Sequence, residues 1–170
     1  MTKKEMTELF SVMLLAWPNA EMFRGGISKL GPTVELWAAC TADVDFWTGQ
    51  QAVVRLCKKC KFPPTIAEFR EEAEGVTREI KGSIDQEWNF IRASRLLDKS
   101  LDAWYSSLHP ASRVKAVVDI MGGPAALLSA DGRMWNYDGF SSAYQKLIRR
   151  ECALPETRPA IAAGKKGNST

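Results

Sequence analysis

Two adjacent prolines followed by a helix-start signal constrain this chain more than any other feature. In Lys61-Phe62-Pro63-Pro64-Thr65-Ile66-Ala67-Glu68, neither proline can extend a helix that precedes it, because each lacks the amide hydrogen and its ring clashes with the preceding turn. Thr65 and Glu68 stand at capping-box spacing: the Thr hydroxyl accepts from the backbone NH three residues on, and the Glu carboxylate reaches back to the Thr NH. One helix must therefore end and another begin within a few residues, which predicts a tight helical corner. Thr2 and Glu5 carry the same pattern near the start of the chain, and Ser83 with Gln86 offers it a third time.

Helical periodicity fills the stretches between these signals. Met6, Leu9, Phe10, Met13, Leu14 and Trp17 share one stripe of a first helix, which Pro18 ends. After Gly25, Gly26 and Gly31, Pro32 occupies a tolerated first-turn position, and Val34, Trp37, Ala38 and Thr41 continue a second, shorter helix. Asp43 and Asp45 are candidate caps for a third helix carrying Phe46, Trp47, Val53, Val54 and Cys57. Its end is rich in Arg55, Lys58, Lys59 and Lys61, which suit the negative end of the helix dipole. A fourth, with Ile66, Phe69, Ala73, Val76 and Ile80 on one face, is expected to close at Gly82.

Beyond it, Ile84, Trp88 and Ile91 lead to Leu97, Leu101, Trp104 and Leu108. The stripe drifts near Ser94 and Arg95, which fits either a bend or two consecutive helices. Pro110 is expected to start a helix with Val114, Val117, Val118 and Met121, stopped by Gly122 and Gly123. Pro124 to Leu128 is short and helical and leads to an Asp131-Gly132 turn. A last helix carries Phe140, Tyr144, Leu147 and Ile148 and ends near Cys152. From Leu154 on, prolines, small residues and Lys165-Lys166 offer too little apolar surface to offset the entropy of ordering. No strand-period alternation of useful length and no internal repeat occur. The expectation is an all-α protein: a small four-helix domain over residues 1–81, a second helical region over 84–152, and a disordered tail over 153–170.

The chain has 170 residues, 45% of them apolar, and six tryptophans, enough to bury a core without disulfide or metal staples. Its net charge of +3 is the difference between 23 basic and 20 acidic residues spread along the length, which argues against a general nucleic-acid binder. Thr2, Lys3, Lys4 and Glu5 open onto a periodic helix rather than a secretory h-region, no apolar run is long enough to span a membrane, and no lipidation pattern is present. A reducing, cytoplasmic setting is expected for Cys40, Cys57, Cys60 and Cys152.

Catalytic chemistry finds little purchase. Cys57-Lys58-Lys59-Cys60 has the spacing of a zinc or redox pair, but further ligands at paired spacing are missing, and so is the strand–helix–strand context of a redox motif. Cysteines on a helix, buried or half-buried, are the plainer reading. His109, the single histidine, precedes Pro110 at a helix boundary and reads as a cap or surface residue. No Ser, His and acid set has a supporting context. Gly122-Gly123 follows a helix and lacks the lysine of a phosphate loop. Glu68, Glu71, Glu72 and Glu74 read as a solvated first half of a helix. Most tryptophans sit on apolar stripes, and Trp135, within Arg133-Met134-Trp135-Asn136-Tyr137, is the one expected at an interface. No enzyme, cofactor or metal is expected.

Four elements together carry a resemblance. An amphipathic helix ends in Trp17-Pro18, a second is centred on Leu36-Trp37, Asp45-Phe46 opens a third, and the run from Lys61 to Arg70 forms the corner into the fourth. This order resembles the N-terminal helical domain of the replicative helicase loader and inhibitor proteins encoded by phages and prophages of Gram-positive bacteria. Phe62, Pro63, Pro64, Thr65 and Glu68 are its most specific part. Glu87-Trp88-Asn89, the Leu108-His109-Pro110 break, Gly122-Gly123, and Phe140 followed by Tyr144 extend the likeness more weakly to about residue 150. The Gly25-Gly26 loop, the lysine-rich end of the third helix and the basic tail depart from the pattern.

The resemblance implies a non-enzymatic adaptor in the bacterial host cytoplasm. Its partners would be a hexameric DnaB-type replicative helicase, which it inhibits and loads, and a phage initiator or replisome organiser protein. It also implies that the C-terminal part docks the helicase, which points to Phe140, Tyr144, Leu147 and Ile148, with Trp135, as the docking face. The alternative is a nucleic-acid-binding phage or regulatory helical module, which requires Lys58, Lys59, Lys61, Arg149 and Arg150 to converge on one surface. A zinc-stabilised domain is a further rival and requires bound metal.

Overall fold

A computed structural model describes residues 1–26, 29–95, 100–129, 132 and 135–151. Among them the chain forms seven α-helices and no strand, the all-α class that the periodicity dictates. They are α1 (Lys3–Ala16), α2 (Gly31–Cys40), α3 (Phe46–Lys59), α4 (Ile66–Arg95), α5 (Leu101–Ser107), α6 (Arg113–Met121) and α7 (Tyr137–Glu151). Single 3₁₀ turns cover Glu21–Phe23 and Pro124–Leu127. Two compact units result, Met1–Pro110 and the chain from Ala111 on. The expected positions of Leu97, Asp131, Arg133, Met134, Cys152 and the tail lie outside the described residues.

In the first unit each α1–α4 boundary has a local cause. Thr2 and Glu5 close the capping box that starts α1, and Pro18 follows its last turn. Pro32 sits in the first turn of α2. Asp45, not Asp43, caps α3, its carboxylate accepting from the Thr48 NH. The apolar stripes of these helices meet in one core. Phe10 packs edge-on against Trp37 and Phe23, with ring centroids 5.3 and 6.1 Å apart, and Trp37 meets Phe69 of α4 at 5.6 Å. Such T-shaped pairs add about 0.5–1.5 kcal/mol each beyond the area they bury. Four tryptophans, Trp17, Trp37, Trp88 and Trp104, are buried as expected. The Met1 ammonium donates to the carbonyls of Thr41, Ala42 and Val44 at the end of α2, which holds the start of α1 against the α2–α3 turn.

The fourth helix departs from expectation. It does not stop at Gly82 but runs 30 residues, about 45 Å at 1.5 Å per residue. Ser83 is therefore no cap: its hydroxyl donates to the Glu79 carbonyl one turn back, and Gln86 lies within the helix. The physical reason is the unbroken stripe Phe69, Ala73, Val76, Ile80, Ile84, Trp88 and Ile91, whose steps of three and four residues pass Gly82 without a phase change. Packing along that stripe outweighs the loss of about 1 kcal/mol that an interior glycine brings. The drift near Ser94 resolves as two helices, with Ser100 capping α5 through the Ala103 NH.

In the second unit, Ser112 rather than Pro110 starts α6, because its hydroxyl accepts from the Lys115 NH while Pro110 stands outside the helix. Gly122 ends α6 as expected, in the left-handed region at φ 100°, and the Gly123 NH bonds back to the Val118 carbonyl. The 3₁₀ turn then brings Leu127 into the core beside α6 and α7. Asn136 caps α7 by accepting from the Gly139 NH, and its amide also donates to the Ala126 carbonyl at 3.1 Å.

Candidate interaction surface

The Pro-Pro corner is built as its residues demand. Glu68 Oε2 accepts from the Thr65 NH at 2.7 Å and from the Thr65 hydroxyl at 2.9 Å, while the Glu68 NH donates to that hydroxyl oxygen. These bonds, the backbone NH first, hold the Glu68 carboxyl below its ordinary value. Pro64 is buried and Pro63 half-buried, whereas Phe62 is thrown outward with 71% of its surface exposed.

Opposite the corner lies the turn after α1. The Trp17 indole NH donates to the Cys60 carbonyl at 3.3 Å and ties the two chain reversals together. Between them is a hollow of about 280 Å³ lined by Trp17, Pro18, Asn19, Lys61, Phe62 and Pro63, among others. The Lys61 ammonium stands 5.7 Å from the centre of the Phe62 ring.

The charges of α3 and α4 are organised in a way the sequence did not suggest. Arg55 makes two hydrogen bonds to Glu79, at 2.9 and 2.7 Å, and lies 3.7 Å from Glu72, which also accepts from Lys59 at 2.7 Å. Arg70 forks onto Asp43 at 2.8 and 2.9 Å and reaches the Cys40 carbonyl. Glu72 is thus an ion-pair residue rather than a member of a solvated acidic face, and Lys59 is neutralised rather than part of a basic patch. Arg149 and Arg150 belong to the other unit. Among the described residues no three metal-ligating side chains group together, and Cys57, expected on the packed face of α3, is exposed.

The face anticipated for docking in the second unit divides. Phe140 and Tyr144 are buried, their ring centroids 6.0 Å apart, with the Arg113 guanidinium 6.0 Å from the Tyr144 ring. Leu147 and Ile148 are half-buried further along α7, and Trp135 is half-buried at a single antiparallel bridge to Leu128. Core packing thus takes the first half of the stripe and leaves partial access to the second.

The order of elements and the built corner bear directly on family. Residues 1–70 match the phage helicase loader/inhibitor N-terminal domain. The recognition read from the sequence is borne out over this stretch. The matched region holds α1, α2, α3 and the first turn of α4, so Trp17-Pro18, Leu36-Trp37, Asp45-Phe46 and the Pro-Pro corner all fall inside it. No curated protein and no solved structure matches the chain. Among the described residues no helix is long and apolar enough to cross a membrane.

Proposed function

We propose that this protein is a stoichiometric adaptor of phage DNA replication that acts in the cytoplasm of a bacterial host. It binds a hexameric DnaB-type replicative helicase, suppresses its ATPase and unwinding, and delivers it to the origin through a phage initiator protein. It does so without an active site of its own. The observation that carries this reading is the loader-type domain over residues 1–70, complete with its capped corner. Docking through the end of α7 follows from the same reading. Because Phe140 and Tyr144 are core, contact there falls to Leu147 and Ile148, with Trp135 at the bridge to Leu128 as their neighbour in the contact.

Size-exclusion chromatography of the protein with the host's replicative helicase, with and without ATP, tests the reading. Co-elution and a lowered helicase ATPase rate are expected. Separate peaks with an unchanged rate would remove the adaptor function.

A further inference from the structure

We propose that the hollow between Trp17-Pro18 and Phe62-Pro63 is a recognition groove for an acidic partner segment, in which one large apolar side chain is followed closely by a carboxylate. Its size sets the apolar part. At about 280 Å³ it lies just below the roughly 300 Å³ at which small-molecule pockets begin, and so suits a single side chain. Its walls supply the chemistry, since Trp17, Pro18, Phe62 and Pro63 offer apolar surface and Phe62 stands exposed without a partner in its own unit's core.

Charge complementarity selects the occupant. Lys61 is the charged residue in the lining, and its ammonium is held over the edge of the hollow by the Phe62 ring. The carboxylates nearest in sequence are already engaged, Glu21 with Arg24 at 3.9 Å and Glu68 with Thr65. Lys59 is paired with Glu72. The cation left at the rim therefore matches a negative group beside the inserted side chain. The groove is also preorganised: the Trp17–Cys60 hydrogen bond and three prolines fix both walls, so little ordering is needed on binding.

This goes beyond the helicase reading, because the pattern is defined by chemistry and not by one partner. Fluorescence anisotropy of a labelled Asp-Glu-Leu-Trp-Asp-Glu peptide against the full chain is the test, with Lys-Arg-Leu-Trp-Arg-Lys and Asp-Glu-Ser-Ser-Asp-Glu as controls. The acidic-apolar peptide should bind, and both controls should bind at least about tenfold more weakly. Phe62→Ser, at a position exposed enough to leave the fold intact by circular dichroism, should weaken binding about tenfold. Lys61→Glu should weaken it about fivefold, an effect that shrinks at high salt. Binding indifferent to both variants, equal binding of the basic peptide, or no binding at all overturns the proposal. So does a dimer that Phe62→Ser dissociates, which would make the surface a self-interface. Displacement of the probe by a peptide of residues 152–170 would assign the groove to the chain's own tail and overturn it as well. Helicase co-elution that survives a failed peptide assay overturns the groove alone.

Discussion

The two units end their helices by different means. In Met1–Pro110, α1, α3, α4 and α5 each start on a side chain, namely Thr2, Asp45, Thr65 and Ser100, and carboxylates brace α3 against α4 through Arg55 and the α2–α3 turn against α4 through Arg70. In the unit from Ala111 on, α6 ends on backbone alone, with Gly122 and Gly123 at φ 100° and 110°. The first arrangement depends on charge and therefore on pH. The second depends on the absence of a β-carbon and is blind to pH.

The largest test of that division lies in the cores. Phe10 and Phe140 are both fully buried, and truncation of either to alanine should cost about 3–5 kcal/mol. Hydrogen exchange reads where the cost falls. Phe10→Ala should lower protection across α1 to α4, and Phe140→Ala across α6 and α7. Equal loss in both units from either variant would break the division into two compact bodies.

Next in size is the glycine stop. A β-carbon on Gly122 meets no atom within 4 Å, so Gly122→Ala tests backbone conformation without a clash. It should destabilise by about 1–2 kcal/mol, the cost of a left-handed conformation for an L-residue. Because no titratable group takes part, the shift in urea midpoint should be the same in acid and at neutral pH.

Thr65→Ala in the first unit should cost about 1 kcal/mol near neutral pH, but its cost should depend on acidity. Glu68 has a folded value below its ordinary 4.5, lowered first by the Thr65 NH and then by the Thr65 hydroxyl. A depressed carboxyl contributes stability that is fully present above its unfolded value and is lost as pH falls through the folded value. The difference between the wild type and Thr65→Ala should therefore narrow as the pH falls below the ordinary value of 4.5. Glu5 on Thr2, Glu79 on Arg55 and Asp43 on Arg70 share the same sign, so acid should loosen the first unit through all of them. A cap effect that persists undiminished in acid would show that Glu68 contributes nothing to it.

What the sequence made legible follows this same contrast. Signals read within four residues were visible: the Thr2 and Thr65 boxes, the Asp45 cap, Pro32, and the Gly122 stop. The core stripes were visible too, because a helix repeats its facing residues at steps of three and four. Arg55 with Glu72 and Glu79, and Arg70 with Asp43, were not, since such pairs join residues 17 to 27 positions apart and depend on how helices dock. The outward turn of Phe62 was hidden for the same reason. The prolines that follow it are buried or half-buried, and only the position of Trp17 across the corner decides which side each residue faces. For the docking stripe, periodicity grouped Phe140, Tyr144, Leu147 and Ile148 without saying how far the packing of α6 and the 3₁₀ turn would reach along it.

The smallest expected effect is the one that decides most about how α4 is read. Gly82 has the look of a helix stop, followed by Ser83 and Gln86 at capping-box spacing, yet the helix passes through it. The two arrangements give alanine opposite signs. At a left-handed C-terminal position a β-carbon is strained and Gly82→Ala destabilises. In a helix interior with no atom within 4 Å of the new methyl, it removes unfolded-state entropy and stabilises by about 0.5–1 kcal/mol. A raised urea midpoint together with stronger amide protection from Ile80 to Trp88 is the expected result. A lowered midpoint would mean that α4 breaks at Lys81–Ser83, and the stripe from Phe69 to Ile91 would then belong to two helices whose facing residues align across a joint.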